Sequence, residues 1–379
     1  MSSLEISEVR SRRERLAFIK MPWNLYRHDP HWVPPVIADQ MEFLDPKKGV
    51  FFDHGEARLF LARRQGVPVG RITAHVNHLH DRIHHDGTGF FGFFECENNP
   101  ETARALFAQA ERYLRSRNRT SSVGSLSFGI YDEVGVLVSG FDSDPYVMNV
   151  HNPPYYRDLI TASGYGKEVD WFAYRGYLKD YEIVDQRLLR IRDRVLSRSG
   201  LTLRNVDLHR IPREAAIVKE LFDSAWSKNW GHVPFSRHEW ERLIGQLRRI
   251  VIPELTIIAE RDGKPVGFTL TSYDANVAVK KLNGRLFPFG AISLLRNLKR
   301  TRNIRFILMG VREEYRGRGI ESALILTFAQ RAYEMGFEEL EMSLVVENNT
   351  PMITALEYYP VEIKKVYRIF SKSLEDRAG

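Results

Sequence analysis

Two arginines and two glycines alternate at Arg316-Gly317-Arg318-Gly319. An apolar run, Phe306 to Val311, leads into them. After them Ile320, Ala323, Leu324, Thr327, Phe328, Ala332 and Met335 recur with a 3.6-residue period that stops at Gly336. The order is strand, glycine-rich turn, helix N-terminus. Such a turn points unpaired backbone N–H groups outward, and the helix dipole adds positive potential. Gly317 and Gly319 permit close approach of a ligand, Arg316 and Arg318 add charge, and Ile320 opens the helix. The chemistry is phosphate or pyrophosphate binding. A Walker A loop is excluded because no Gly-Lys-Ser/Thr closes the turn. A dinucleotide fingerprint is excluded because the third glycine, near Ser322, is missing. Glu321 suits a helix N-terminus by itself, worth ~0.3–1 kcal/mol, but repels a bound pyrophosphate.

The elements that must position this loop are also legible. Glu254 to Leu270 predicts a hairpin around Arg261-Asp262-Gly263-Lys264. Glu338 to Glu347 alternates as a strand, and Asn349-Thr350-Pro351 opens another helix. The hairpin occurs twice. Phe60-Leu-Ala-Arg-Arg-Gln-Gly-Val-Pro-Val-Gly matches the stretch from Ile257, 197 residues on, and Asn152 stands at the same spacing from Asn349. This self-similarity predicts an α/β protein of two copies, residues 1–178 and 179–379. In the first copy Gly89 to Glu95 reads as a strand and Glu101 to Arg117 as a helix. Their junction, Cys96-Glu-Asn-Asn-Pro100, has no glycine-rich loop and carries acids instead. The first copy therefore reads as degenerate, a scaffold or acceptor-side wall; the alternative is a second active site. The second copy holds an insertion, residues 280–302, with an apolar centre from Leu286 to Leu295 and basic flanks. It suits a membrane interface, an apolar channel or a core helix with a solvated basic face.

Arg316-x-x-Gly319 after a strand resembles the acyl-CoA pyrophosphate loop of the Gcn5-related N-acetyltransferases (GNAT). The whole chain is similar to a bacterial group of paired GNAT-fold proteins. The likeness lies in Met21-Pro-Trp-Asn-Leu-Tyr26, His31-Trp-Val-Pro-Pro35, Gly89 to Glu95, His151-Asn-Pro-Pro-Tyr-Tyr156, Trp226-Ser-Lys-Asn-Trp-Gly231 and Asn349-Thr-Pro-Met352. Some members of that group resemble bacterial sphingolipid N-acyltransferases. The resemblance implies two tandem GNAT-like domains in a mixed sheet and acyl-CoA as co-substrate. It implies transfer of an acyl group to an amine, a long-chain lipid amine being one candidate. It places pyrophosphate on Arg316, Gly317, Arg318, Gly319 and Ile320, and pantetheine along Met309, Gly310 and Val311, with Asn349 nearby. Glu347 is implied as general base through water, with capping of the following helix as the competing reading, and Tyr358 or Tyr359 as the acid for the CoA thiolate. Trp226, Asn229 and Trp230 fall where acceptors bind; a helix corner with core aromatics is the competing reading. The family's usual tyrosine falls on Leu356 and its glycine on Pro360. Those departures, with Glu321, keep open a catalytically weak binding or regulatory protein, and an N-acetyltransferase of a small soluble amine is a further reading.

Composition narrows the classes. Hydrophobic residues are 43% and charged residues 27%, ordinary for a globular protein. The net charge of +7 suits a polyanionic co-substrate or an anionic membrane surface, and no nucleic-acid module accompanies it. A single cysteine, Cys96, excludes an intrachain disulfide and is expected to be buried and inert. His75, His78, His80, His84 and His85 lack a ligand signature and read as a polar loop, so no metal is expected. No signal peptide is evident. The expected location is cytoplasmic, with peripheral contact at the inner face of the membrane as a possibility.

Overall fold

A computed structural model describes residues 4–178, 186–285 and 290–375. Its strands are β1 (Leu4–Glu8), β2 (Gly55–Arg64), β3 (Val67–Asn77), β4 (Thr88–Cys96), β5 (Ser121–Gly124), β6 (Val136–Ser139), β7 (Gly166–Tyr177), β8 (Leu201–Asn205), β9 (Ile257–Arg261), β10 (Lys264–Tyr273), β11 (Asn303–Val311), β12 (Glu339–Val346) and β13 (Val361–Ser373). The chain forms two compact units. The first comprises Met1–Trp171, Val279–Leu294 and Lys365–Gly379; the second comprises Phe172–Ala278 and Leu295–Lys364. The first unit thus takes in part of the insertion and the end of the last strand, both of which belong to the second copy in sequence.

In the first unit the strand order is β1-β2-β3-β4-β5-β13-β7, with β6 also paired to β13. In the second unit it is β7-β12-β11-β10-β9-β8. Strand β7 begins in one unit and ends in the other, and β13 crosses back. Each copy has its hairpin. Gln65 and Gly66 have φ of 52° and 78°, and Asp262 and Gly263 have φ of 51° and 73°. Paired positive φ is the turn whose twist matches two adjacent antiparallel strands. Each copy also has a parallel pair, β4 with β5 and β11 with β12, connected by a long helix. The helix Pro100–Ser116 buries Ala103, Leu106, Phe107, Ala110 and Leu114 in a core shared with Ile72, Phe91 and Phe94. The helix Ile320–Glu334 buries Ile320, Leu324, Phe328 and Ala332 in a core shared with Val266, Ile304, Phe306 and Val311. The 3.6-residue stripe read from the sequence is the face that does this.

The first unit differs from the second at the corresponding strand pair. Pairing of β4 with β5 runs from Thr88 and Ser121 to Phe90 and Val123. Beyond it the chain's own backbone fills the gap. Leu126 N donates to Phe91 O at 2.9 Å. A Cβ on Gly92 would lie 1.8 Å from Leu126 O. Phe128 stacks on Phe51 with ring centroids 4.4 Å apart and meets Phe93 at 5.4 Å. At the following helix Asn99 accepts from Glu101 N, and Pro100 has no N–H to offer. In this unit the place between the two strands is filled and the helix end is capped.

The histidine segment departs from the expected loop. His75 lies in β3, wholly buried, and burial pulls its pKa down to about 3. His78–His84 is a helix, because the Asn77 side chain accepts from Leu79 N and His80 N and so starts the turn. Cys96 is buried, and that burial pushes its thiol well up. The start of the insertion is held inside the first unit. Asn283 accepts from Trp23 Nε1 at 2.9 Å, Lys280 pairs with Asp144, and Gly284 O accepts from Ile37 N. Residues 286–289 of its apolar centre lie outside the described residues; Gly290–Leu298 is helical.

Candidate functional site

Strands β11 and β12 pair in parallel from Asn303 and Glu339 to Phe306 and Met342, and then part. The parting coincides with a bulge. Opposite β10, Leu270 faces Leu308 while Thr271 faces Phe306, so Ile307 is the extra residue. A bulge bends its strand away from a neighbour. The result is a cavity of about 470 Å³ in the second unit, within the usual range for small-ligand sites. One wall is Phe306, Ile307, Met309, Gly310 and Val311; another is Met342, Ser343, Leu344 and Val345. Gly310 is needed for packing: a Cβ there would lie 2.8 Å from the Phe268 ring and 2.9 Å from Ala225.

The cavity reaches the glycine-rich loop. Arg316, Gly317, Gly319, Glu321 and Ser322 all line it. Gly317 and Gly319 have φ of 69° and 83°, a region that disfavours side chains. Gly319 is the cap position of the Ile320–Glu334 helix, and no side chain caps that helix. Its first N–H groups and dipole therefore face an open space, unlike those of the first copy's helix. A Cβ on Gly317 would meet nothing within 4 Å, so the loop surface is bare there.

Charge around the loop is distributed unevenly. Arg316 is committed: Nε donates to Val311 O at 3.0 Å and a terminal nitrogen donates to Ala225 O at 2.7 Å. It braces the turn against the preceding strand and the Ile211–Trp226 helix. Arg318 lies over the Tyr315 ring at 5.6 Å. Lys228 pairs with Glu313 at 2.7 Å and holds Glu313 below the usual carboxylate range.

The other expected residues fall on both sides of the cavity wall. Trp226 and Asn229 line it, and Trp226 Nε1 donates to Met309 O at 3.1 Å. Trp230 is half-buried and is not among the lining residues. Asn349 lines the cavity while its side chain caps the helix Thr350–Leu356 by accepting from Met352 N. Glu347 stands in the turn just beyond β12, outside the lining. Tyr358 is 77% exposed. Tyr359 is half-buried; desolvation raises its pKa, and a hydrogen bond with Ser322, on the cavity wall, opposes that rise. Leu356 is core. Sequence reasoning missed Ile307, the Met342–Val345 wall, Ser322, Met352 and Ala355. The bulge and the parting of two strands create their roles, and neither leaves a local signature.

Behind the wall lies a buried polar group. Arg305 donates to Ser343 Oγ at 3.1 Å and to Ser343 O at 3.2 Å, and Ser343 Oγ donates to Glu341 at 2.7 Å. Glu341 is fully buried. This network fixes Ser343, a wall residue, in place.

Among the described residues no group of side chains is arranged to hold a metal ion, and no helix is long and apolar enough to cross a membrane. Residues 215–357 match the family model described as Acetyltransferase (GNAT) family. The chain is 34% identical to a protein named bacterial ceramide synthase from Caulobacter vibrioides, covering 98% of both chains. It is 36% identical to Protein YghO of Escherichia coli, covering 94% of this chain and 92% of that one. A solved tandem GNAT protein from the clavulanic acid biosynthesis pathway superposes with a TM-score of 0.56 at 15% identity, covering 99% of both chains.

Proposed function

Because the chain belongs to the acetyltransferase (GNAT) family, whose members are acyltransferases using acyl-CoA, we propose that its second unit binds acyl-CoA in the β11–β12 cleft and transfers the acyl group to a long-chain lipid amine. The observation that carries the acyl-CoA part is the joining of two features. Two strands part over an open cavity, and that cavity ends on an uncapped helix N-terminus behind Gly317 and Gly319. A pyrophosphate on that N-terminus leaves the pantetheine arm lying along Met309 to Val311. The thioester then falls among Phe306, Ile307, Met342, Leu344 and Val345, an apolar surface that suits a hydrocarbon chain.

The acceptor amine must lose a proton before attack. Glu347 acts as base through water in this reading. Tyr359 returns a proton to the CoA thiolate, since it is held beside the cavity wall and burial keeps its hydroxyl protonated. The lipid acceptor draws its support from the name of the Caulobacter relative and from the basic residues Lys299 and Arg300, exposed after the Gly290–Leu298 helix. The molecule in this reading is a peripheral enzyme working at an anionic membrane face. The test is turnover with long-chain acyl-CoA and either a sphingoid-type amine or small polar amines. Preferential acylation of the long-chain amine is expected. Acylation of soluble amines alone removes the lipid part, and absence of acyl-CoA binding removes the whole reading.

A further inference from the structure

The edge of β11 carries an arrangement beyond this reading, though the inference from it rests on acyl-CoA lying in the cleft. In an antiparallel pair, successive residues turn their N–H and C=O alternately toward the partner strand and away from it. Arg312 N donates to Val266 O at 2.9 Å. Gly310 and Leu308, opposite Phe268 and Leu270, share that phase and turn toward β10. Met309 and Val311 turn the other way, into the cleft that β12 has left. There both carbonyls are covered. Trp226 Nε1 donates to Met309 O, and Arg316 Nε donates to Val311 O. The groups left facing the cavity along this edge are the N–H donors of Met309 and Val311.

We infer that Trp226 is a positioning residue for acyl transfer: by covering the Met309 carbonyl, it turns the cleft edge of β11 into a donor-only surface aimed at the thioester oxygen. In the reaction the amine nitrogen bonds to the thioester carbon and the carbonyl electron pair moves onto oxygen. That pair returns as the carbon–sulfur bond breaks, and the proton lost by nitrogen is balanced by one gained at sulfur. The oxygen carries negative charge in between. An N–H donor stabilises it, and a bare carbonyl beside it repels it. Arg316 performs the same covering one step along the edge, toward the pantetheine amides. This differs from the sequence expectation, in which Trp226 forms part of an acceptor wall.

The experiment compares two ligands on the full chain: an acyl-CoA, and an S-alkyl-CoA thioether of equal length that lacks the carbonyl oxygen. Trp226→Phe keeps a ring against Phe222, whose centroid is 5.2 Å away, and removes the indole donor. It is expected to weaken acyl-CoA binding about tenfold, leave thioether binding within about twofold, and lower kcat more than it raises KM. The infrared carbonyl stretch of bound 13C-labelled acyl-CoA is expected to rise, reporting a weaker hydrogen bond. Arg316→Met, which uncovers Val311 O, supplies a second variant; it is expected to weaken binding of both ligands through their shared pantetheine arm. Equal loss for both ligands in Trp226→Phe, or no loss for either, overturns the inference while leaving acyl-CoA binding intact. A wild-type protein that binds neither ligand overturns the acyl-CoA reading itself, and the role of Trp226 with it.

Discussion

At the scale of single residues, the site depends on where backbone is bare and where it is covered. Gly319 is in the left-handed region, and a Cβ there would also lie 3.0 Å from Val195. Gly319→Val is expected to weaken acyl-CoA binding at least tenfold, about 1.4 kcal/mol, by calorimetry; undiminished affinity in a folded variant removes the loop as the pyrophosphate site. Glu321 lines the cavity beside the helix N-terminus. Glu321→Gln is expected to tighten CoA binding severalfold by removing like charge, and weaker binding instead means that Glu321 organises the loop. The two tyrosines separate cleanly. Tyr358→Phe, at an exposed position, leaves kcat within about twofold, whereas Tyr359→Phe lowers it about tenfold or more. Because Tyr359 is raised above an ordinary phenol, it stays protonated as pH rises through 10, and any alkaline loss it causes belongs above that point. A wild-type profile falling earlier for a group lost in Tyr359→Phe contradicts this assignment. Arg316 marks the limit of reading charge from sequence. Its motif suggests a phosphate ligand, yet its donors go to backbone carbonyls, one of them in Ala225, 91 residues away.

At the scale of elements, what was legible is what local rules decide. Both hairpins are marked by a glycine, Gly66 and Gly263, and in the second by Asp262 as well, residues suited to positive φ; Gln65 takes its positive φ without that aptitude. The Ile320–Glu334 helix follows from its apolar stripe and from Gly336, and the cap at Asn349 from its side chain. What was not legible is decided between distant segments. The bulge at Ile307 and the end of the β11–β12 pairing set the cavity, and no residue type announces either. The buried Arg305–Ser343–Glu341 network is also invisible in a strand that alternates like any other. Removing one partner of such a group strands a charge. Glu341→Ala is therefore expected to cost about 3–5 kcal/mol in chemical denaturation, far beyond an exposed acid such as Glu314; a loss under about 1 kcal/mol shows that the network is not coupled. The insertion is a mixed case. Its opening residues are fastened to Trp23 and Asp144, and Arg302 pairs with Glu338 at 2.8 Å. Lys299 and Arg300 are then the exposed cations to reverse. Lys299→Glu with Arg300→Glu is expected to reduce binding to anionic vesicles at low salt, and equal binding by the double variant removes the insertion from membrane contact.

At the scale of the whole chain, two copies of one plan have diverged in a way that predicts a stoichiometry. Both keep the hairpin, the parallel strand pair and the connecting helix. Among the described residues, the second has the open cleft and the bare helix end. In the first, Leu126 has taken the strand-edge acceptor Phe91 O, aromatic rings have taken the volume, and Asn99 has taken a helix N–H. These are covalently tethered occupants, so a free ligand competes with groups held at high effective concentration. Glu95, at the end of β4, is likewise taken up inside the unit: it accepts from Tyr26 and Tyr156 and pairs with Arg71 at 3.4 Å. The expected result is therefore one acyl-CoA per chain by calorimetry, bound at least tenfold more weakly after Gly319→Val. A stoichiometry of two places a binding site in the first unit and overturns the reading of that unit as a scaffold. A count of one, weakened by that substitution, assigns acyl-CoA binding to the second unit.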